Sequence, residues 1–469
     1  MRVVETVKSP SLPTPLIFGA AIVSVLAASV LMPVASYPMV LAGILGVVAV
    51  GCLVFQPYWL WILLLTFLPF SVEISDVLGH GTNLVFPTEA CVPLVALAIL
   101  VRFLVRGKIQ WARSWLHTAI LIYFTIQFLT LVVSPLPVVT LKAFIRTTSY
   151  LLCGYLLTNI VVERQEQAKT LLKFLVLSTS ILVVYGFYTQ FIEGVSIYQD
   201  IAHPFFLNHC IYAAWVCFPL AFLLPSLSQP IEGKGKIVLF FALLGLGVLL
   251  SFVRGAWLGI LGLVAYLWYR QRSALNLKFI LVLVLGGILG IILIFALDLS
   301  HLFVDRFVNL FDRRYVTNES RIDRWMAALS MWATHPILGV GLGCYPDLYP
   351  QYLFYVDTFE GAIRMGAHSI FFEIMAETGT LGILAYGFII FNFFRETRRL
   401  LALAGDDIQQ RCIALGLEGI VVVYLIHGVV NNLGPSDKID IALWATLGLA
   451  VRLRYLREKE RANSLPHST

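Results

Sequence analysis

The sequence predicts an all-α polytopic membrane protein of roughly 12–14 transmembrane helices, interrupted by one large helix-bearing outer loop. Three observations carry this. The 469 residues are 59% hydrophobic and only 13% charged, with a mean hydropathy of +0.86, too apolar for an ordinary water-soluble globule. Apolar runs long enough, or nearly so, to cross ~30 Å of hydrocarbon recur along the chain. Lys and Arg collect in every second short connection, the bias that marks cytoplasmic loops.

The runs lie near residues 15–32, 37–55, 57–72, 85–104, 115–133, 141–162, 171–191, 207–225, 236–252, 255–269, 277–297, 368–393, 411–430 and 436–453. Those near 57–72 and 255–269 are short, so twelve crossings satisfy the pattern as well as fourteen. The first run lacks a small-residue cleavage site and leads straight into another, so it reads as a retained span. The basic connections are marked by Arg102, Arg106, Lys108 and Arg113, by Lys234 and Lys236, by Arg270, Arg272 and Lys278, and by Arg395, Arg398, Arg399 and Arg411. The tail adds Arg452, Arg454, Arg457, Lys459 and Arg461. Both termini are then cytoplasmic.

Three regions follow: transmembrane helices over 1–297, an outer loop over 298–367, and C-terminal helices with a basic tail over 368–469. The short outer loops near 33–36, 73–84, 134–140, 192–206 and 431–435 can only shape the mouth of a cavity. The net charge of +6 is topology signal and gives no reason to expect nucleic acid. Of seven scattered cysteines only Cys344 falls clearly in the outer loop, so no disulfide framework is expected.

The outer loop carries Arg306, Arg313, Arg314, Arg321, Arg324 and Arg364, against the usual charge bias, which points to an anionic ligand. Within it, Ser320-Arg321-Ile322-Asp323 has the pattern of a helix start. Ile322, Trp325, Met326, Leu329, Trp332 and Ala333 then recur at helical spacing until Pro336. This predicts an amphipathic helix along the membrane interface, with its Trp side chains at headgroup depth and Arg321 and Arg324 sharing the polar face. Gly339-Val340-Gly341-Leu342-Gly343 has no preceding strand, so it reads as a flexible turn and not as a dinucleotide fingerprint.

His368 begins the next span. A helix N-terminus and nearby guanidinium groups disfavour imidazolium, so the ring is expected neutral and available as a base; capping the helix is the plainer alternative. Ser369, Glu373 and Glu377 follow at spacing four as a polar stripe, in which Glu373 orients a neighbour or pairs with an Arg. Arg254, in Ser251-Phe252-Val253-Arg254-Gly255-Ala256-Trp257, sits where an Arg has no topogenic purpose. Arg146, near Lys142, lies a turn inside its span and either lines the same cavity or snorkels. His209 starts a span and either contacts a sugar hydroxyl or packs there. The outer loops hold no Asp-x-Asp, His-x-x-x-His or clustered Cys, so no divalent metal or other cofactor is indicated. Charge on an anionic substrate then falls to arginine, whose fork matches phosphate oxygens. Nucleotide sugars are absent outside the cytoplasm, so glycosyl transfer there would draw on a lipid-linked sugar diphosphate. Arginines would hold the leaving diphosphate and a neutral His would take the acceptor's proton.

At these residues the chain resembles the O-antigen ligase and polymerase superfamily of bacterial envelope enzymes. The resembling pieces are Ser251-x-x-Arg254-Gly255, the Arg321-x-x-x-Trp325 helix, His335-Pro336 with Gly339, Gly341 and Gly343, and His368-Ser369 followed by Glu377, Gly379 and Gly382, in family order over 251–382. The resemblance implies a GT-C-like layout in the inner membrane. It also implies inverting, metal-independent transfer of a glycan from undecaprenyl diphosphate at the periplasmic face. By position, Arg254 and Arg321 would bind the diphosphate and His368 would be the base; Arg324 joins them only by its shared face. Family members often have His-Asn where this chain has His368-Ser369, so a role for that amide does not carry over.

The foremost function is then a ligase moving a finished glycan onto lipid A-core. A repeat-unit polymerase or a protein-glycosylating enzyme shares the donor and differs in acceptor. A small-anion transporter is the alternative of another class, but it should show repeat symmetry and paired broken helices, neither of which the sequence displays.

Overall fold

The computed structural model describes residues 57–74, 84–106, 111–191, 201–231, 233–271, 316–353, 365–434 and 436–464, with isolated positions between 287 and 308. The expected spans near 15–32 and 37–55, and most of that near 277–297, lie outside these residues. So do Lys108, Arg272, Lys278, Arg306, Arg313, Arg314 and Arg364.

Each expected span within the described residues is helical over most of its length. The helices are α1 (Pro57–Phe67), α2 (Thr88–Arg106), α3 (Trp115–Val133), α4 (Pro137–Leu151), α5 (Leu157–Val161), α6 (Gln165–Phe191), α7 (His209–Leu227), α8 (Lys234–Leu249) and α9 (Arg254–Arg270). They continue with α10 (Val316–Thr334), α11 (Tyr345–Leu348), α12 (Ile370–Ala404), α13 (Ile408–Val430) and α14 (Asp437–Ser464). Among the described residues, α3, α6, α7, α12 and α13 are long and apolar enough to cross a membrane. The protein is thus an all-α membrane protein, relieved by one antiparallel hairpin, β1 (Val72–Ile74) with β2 (Leu84–Phe86), where Val72 pairs with Phe86 and Ile74 with Leu84.

Local chemistry sets the helix starts. Ser114 accepts from the Leu116 N–H to open α3, Asn208 from Cys210 at α7, and Asp407 from Gln410 at α13; each satisfies an amide that the first turn leaves without a helical partner. Between α4 and α5 the helix widens into a π turn, Leu152–Leu156, and there α14 crosses: a Cβ on Gly154 would sit 2.5 Å from the Ile441 carbonyl oxygen. At the centre, α13 packs on α7 and α9 to one side and on α12 to the other, while α12 also meets α3, α14 and α10. Leu121 and Val132 on α3, Leu261 on α9, and Leu384 and Phe391 on α12 are exposed, as suits surfaces that face lipid.

The basic residues read as orientation signals also tie helices together. Arg270 donates from both Nε and Nη2 to Glu418 at 3.2 Å, and the same carboxylate accepts from Tyr266 at 2.7 Å and Thr397 at 2.8 Å. Arg454 pairs with Glu396 and Arg102 with Glu163. Removing one member of such a buried pair strands the other, at about 3–5 kcal/mol, whereas replacing both with apolar groups is often neutral. Glu418→Leu should therefore sharply lower the melting midpoint of the detergent-solubilised protein, and adding Arg270→Met should recover most of the loss. A Glu418→Leu protein that melts like the wild type would contradict this.

Candidate functional site

The site is organised by a fault in a helix. α12 carries non-helical backbone at Gly379 (φ 66°, ψ −165°), where the helical hydrogen bonds are interrupted. The glycine-rich segment supplies the missing partners. Val340 N–H donates to Ala376 O (2.9 Å) and Gly341 N–H to Glu377 O (3.1 Å), while Thr380 N–H donates to Pro336 O (2.8 Å) and Leu381 N–H to Ile337 O (3.3 Å). A Cβ on Gly379 would lie 2.3 Å from Ile337 O, and one on Gly339 would lie 2.4 Å from the Glu377 carbonyl carbon. The expected turn is present, with Gly339, Gly341 and Gly343 all at positive φ, and it is held by four backbone hydrogen bonds.

That docking seats α10 on α12, and the placement corrects the sequence reading in four ways. The helix begins at Val316, so Ser320 lies inside it and is not its cap. Its buried stripe is Ser320, Asp323, Arg324, Ala327, Ala328 and Met331, not the bulky apolar stripe through Ile322, Met326 and Ala333. Trp325 stacks on Phe372 with ring centroids 5.4 Å apart, and Trp332 donates to Thr380 Oγ1 at 3.0 Å. Both Trp rings thus contact α12, Trp332 through the hydroxyl beside the fault and Trp325 by stacking. Arg324 is only 1% exposed. Its Nη2 lies 3.1 Å from Met365 Sδ, its guanidinium stands over the Tyr349 ring, and its carbonyl accepts from Tyr345 Oη at 2.8 Å. Arg321 is partly exposed, so the two arginines do not share a solvated face.

His368 stands just before α12 with a left-handed φ of 52°, a conformation non-glycine residues adopt at a cost. Glu373 holds this turn: its Oε2 accepts the Ala367 N–H at 3.0 Å and also the Asn432 side-chain amide, the orienting role weighed for it. Glu377 accepts from the Tyr345 N–H at 3.1 Å and so fastens α11. Burial first, then the charges of Arg324 and Arg321, push the His368 imidazole down to about 3. The ring is therefore neutral around pH 7.

Arg254 is the first residue of α9 and is buried. Ser251 shapes the preceding turn by donating to Val248 O (2.6 Å), and Trp257 Nε1 donates to that same carbonyl (3.2 Å), so the two ends of the motif share one anchor. Gly255 is needed because α13 presses on it: a Cβ there would lie 2.4 Å from Asn431 Nδ2 and 2.5 Å from His427 Cδ2. His427 was not singled out from sequence. It is fully buried, neither ring nitrogen has a hydrogen-bond partner, and it lies within electrostatic reach of Arg321 and His209. The Asn431-Asn432 pair after α13 was the sequence signal available for this corner. His209 opens α7, next to Cys210, whose Sγ lies 3.5 Å from Asn431 Oδ1.

Arg146 stands apart. It lines a cavity of about 180 Å³ together with Glu373, Glu377, Asp440, Tyr386 and Asn432, and it interacts electrostatically with all three carboxylates. Arg146 thus sits among carboxyl groups of α12 and α14 and not beside Arg321 and Arg324. The structure thus brings His368, Arg321 and Arg324 together, reaches toward Arg254 through Gly255 and His427, and sets Arg146 behind Glu373. Among the described residues no group of His, Cys, Asp and Glu is placed to hold a metal ion. Guanidinium groups beside a neutral imidazole can bind an anion and accept a proton in one place.

The close fit at Gly255 is testable. Gly255→Ala should cost about 1–3 kcal/mol by overpacking and lower the melting midpoint. Gly387→Ala, where an added Cβ meets nothing within 4 Å, should not, and equal melting of the two would contradict the packing described.

Residues 239–387 match the family model described as O-Antigen ligase. The matched stretch runs from α8 to the middle of α12 and contains Arg254, Arg321, Arg324, the glycine loop, His368 and Gly379. No curated protein matches the chain. Over this stretch, roughly a third of its length, the chain is similar to the O-antigen ligase family, as the order of motifs from Ser251 to Gly382 implied.

Proposed function

We propose that the protein is an O-antigen ligase-type glycosyltransferase. It would move a glycan from undecaprenyl diphosphate onto a lipid acceptor such as lipid A-core, at the periplasmic face of a bacterial inner membrane. The observation that carries this reading is His368: a strained, partly buried imidazole held neutral beside two arginines. In the reaction, His368 takes the proton from the acceptor hydroxyl as its oxygen attacks the anomeric carbon. The bond from that carbon to the diphosphate oxygen breaks on the opposite face, so the configuration inverts. Arg321 and Arg254 grip the diphosphate and stabilise the charge it gains on leaving. Arg324, too buried to serve as the main grip, contributes its field and keeps His368 unprotonated. Glu373 keeps the His368 turn in place, and Glu377 secures α11 against it.

The small-anion transporter fits less well. α12 is indeed broken, but among the described residues its fault is filled by a loop of the same chain, and the unusual polar groups gather at one end of the bundle. A transport site is expected near the midplane between paired broken helices.

Two outcomes follow for the purified protein with an undecaprenyl diphosphate-linked oligosaccharide and lipid A-core. His368→Ala should express normally and lose transfer, while Arg321→Lys should weaken transfer about tenfold or more by losing the bidentate grip; near-normal turnover by His368→Ala would remove it from the base role. The pH profile carries a second signature. A base must be deprotonated to act, so activity is lost as pH falls through its pKa. In the free enzyme that value is near 3, so the acid limb of kcat/KM should lie well below pH 6.5. A bound diphosphate offsets the arginine field, so the limb of kcat should lie at higher pH than that of kcat/KM. A kcat/KM limb centred near 6.5 would contradict the depressed base.

A further inference from the structure

A second chamber, of about 310 Å³, adjoins the cavity that Arg146 and Glu373 line. It is enclosed by the hairpin end, the segment before α7 and the start of α14, and lined by Ser71, Glu89, Arg146, Tyr150, Asn208 and Lys438 among others. Arg146 lines both this chamber and the cavity beside Glu373, so the two are neighbours. Of the outer loops that from sequence could only shape a cavity mouth, the one near 192–206 supplies Pro204, Phe205 and Phe206 to its wall, and Ser71, Val85 and Ser436 flank the others.

The chemistry of those walls selects a ligand. Asp437 accepts from Ser71 Oγ at 2.9 Å and from Thr88 Oγ1 at 2.8 Å. Lys438 donates to the Ser71 carbonyl at 2.9 Å and stands 5.1 Å from the Phe206 ring centroid. Glu89 accepts from the Val85 N–H at 3.2 Å. The buried Asp437 and Lys438 and the half-buried Glu89 are therefore fixed in place before any ligand enters, which lowers the ordering cost of binding. Carboxylates (Glu89, Asp437) face cations (Arg146, Lys438) in equal number, so neither an anion nor a cation gains from the balance of charge. A lipid tail would strip water from these groups and return no hydrogen bonds. A neutral ligand that donates and accepts through many hydroxyls suits both signs at once. Phe205 and Phe206 add apolar faces, with Phe205 set edge-on to Phe70 at 5.3 Å. The volume reaches the lower end of the roughly 300–1,000 Å³ typical of small-molecule sites.

We infer that this chamber is a subsite for a sugar residue of a glycan engaged at the neighbouring reaction centre. The inference rests on the glycosyl-transfer reading and adds to it where a sugar beyond the reacting bond is held. The sugar belongs either to the donor's glycan or to the acceptor's, and the test separates them.

Ser436 and Leu207 line the chamber and take no part in the machinery above, so Ser436→Trp and Leu207→Trp fill it from two sides, and Leu207 is already exposed. For the full-length protein in nanodiscs, binding of bare undecaprenyl diphosphate and of the glycan-loaded carrier extracted from native membranes is compared, along with KM for the acceptor glycolipid. Both variants should bind the bare carrier as the wild type does. They should either bind the loaded carrier roughly five- to tenfold more weakly, marking the donor's sugar, or raise the acceptor KM by a similar factor, marking the acceptor's; either matches the loss of one or two hydrogen bonds. Unchanged values on both arms in both variants overturn the subsite and leave the donor reading standing. Equal weakening of bare and loaded carriers overturns it too, because the diphosphate and not the sugar would then be what the chamber senses. A wild type that binds neither carrier overturns the donor reading and the subsite with it.

Discussion

The functional end of the molecule depends on the exchange of backbone hydrogen bonds between 336–343 and the fault in α12 at Gly379. A helix interrupted in an apolar environment leaves polar groups that must find partners, each at a cost of several kcal/mol if none is found. Here one segment satisfies the carbonyls of Ala376 and Glu377 and the amides of Thr380 and Leu381. The docked loop fixes the end of α10 on one side and the start of α11 on the other. Arg321 and Arg324 are thereby set beside His368 with no direct hydrogen bond between base and arginines required.

The two ends of the bundle handle charge differently. At the end read as cytoplasmic, carboxylate and guanidinium meet directly, as in Arg270 with Glu418 and Arg454 with Glu396, and such pairs fix helix positions. At the other end Arg324 and Arg321 bear on a histidine, and Glu373 is turned to the Ala367 amide and Asn432. The first pattern suits a scaffold. The second gathers positive charge where an anion can be drawn in, and that charge adds to burial in keeping the base unprotonated.

Much of this was legible in the sequence because it rests on local rules. The limits of α3 fell out of hydropathy alone, and the order of Arg254, Arg321, the glycines and His368 marked the site before any geometry was known. The fault at Gly379 was present as a motif residue but carried no local sign that a helix would break there, since its partners lie some forty residues earlier. The face of α10 was misread for a related reason. Periodicity ranks Ile322 and Met326 above Arg324 and Asp323 as buried residues, but burial here follows a polar site that only the fold assembles. His427 was invisible on its own, because its relevance comes from Gly255 on another helix. The carboxyl groups of α12 and α14 around Arg146 were not legible either, because they come from helices far along the chain.

In the proposed reaction the loop seated in the α12 fault positions the arginines that hold the donor, while His368 acts on the acceptor and not on the diphosphate. The most direct measurement is equilibrium binding of an undecaprenyl diphosphate-linked oligosaccharide to wild-type, His368→Ala and Gly379→Ala proteins of equal monodispersity. The account predicts that His368→Ala binds the donor like the wild type although it transfers nothing. Gly379→Ala should lose most of the binding although Gly379 is placed at no contact with the donor. Wild-type affinity in Gly379→Ala, or lost affinity in His368→Ala, would contradict it.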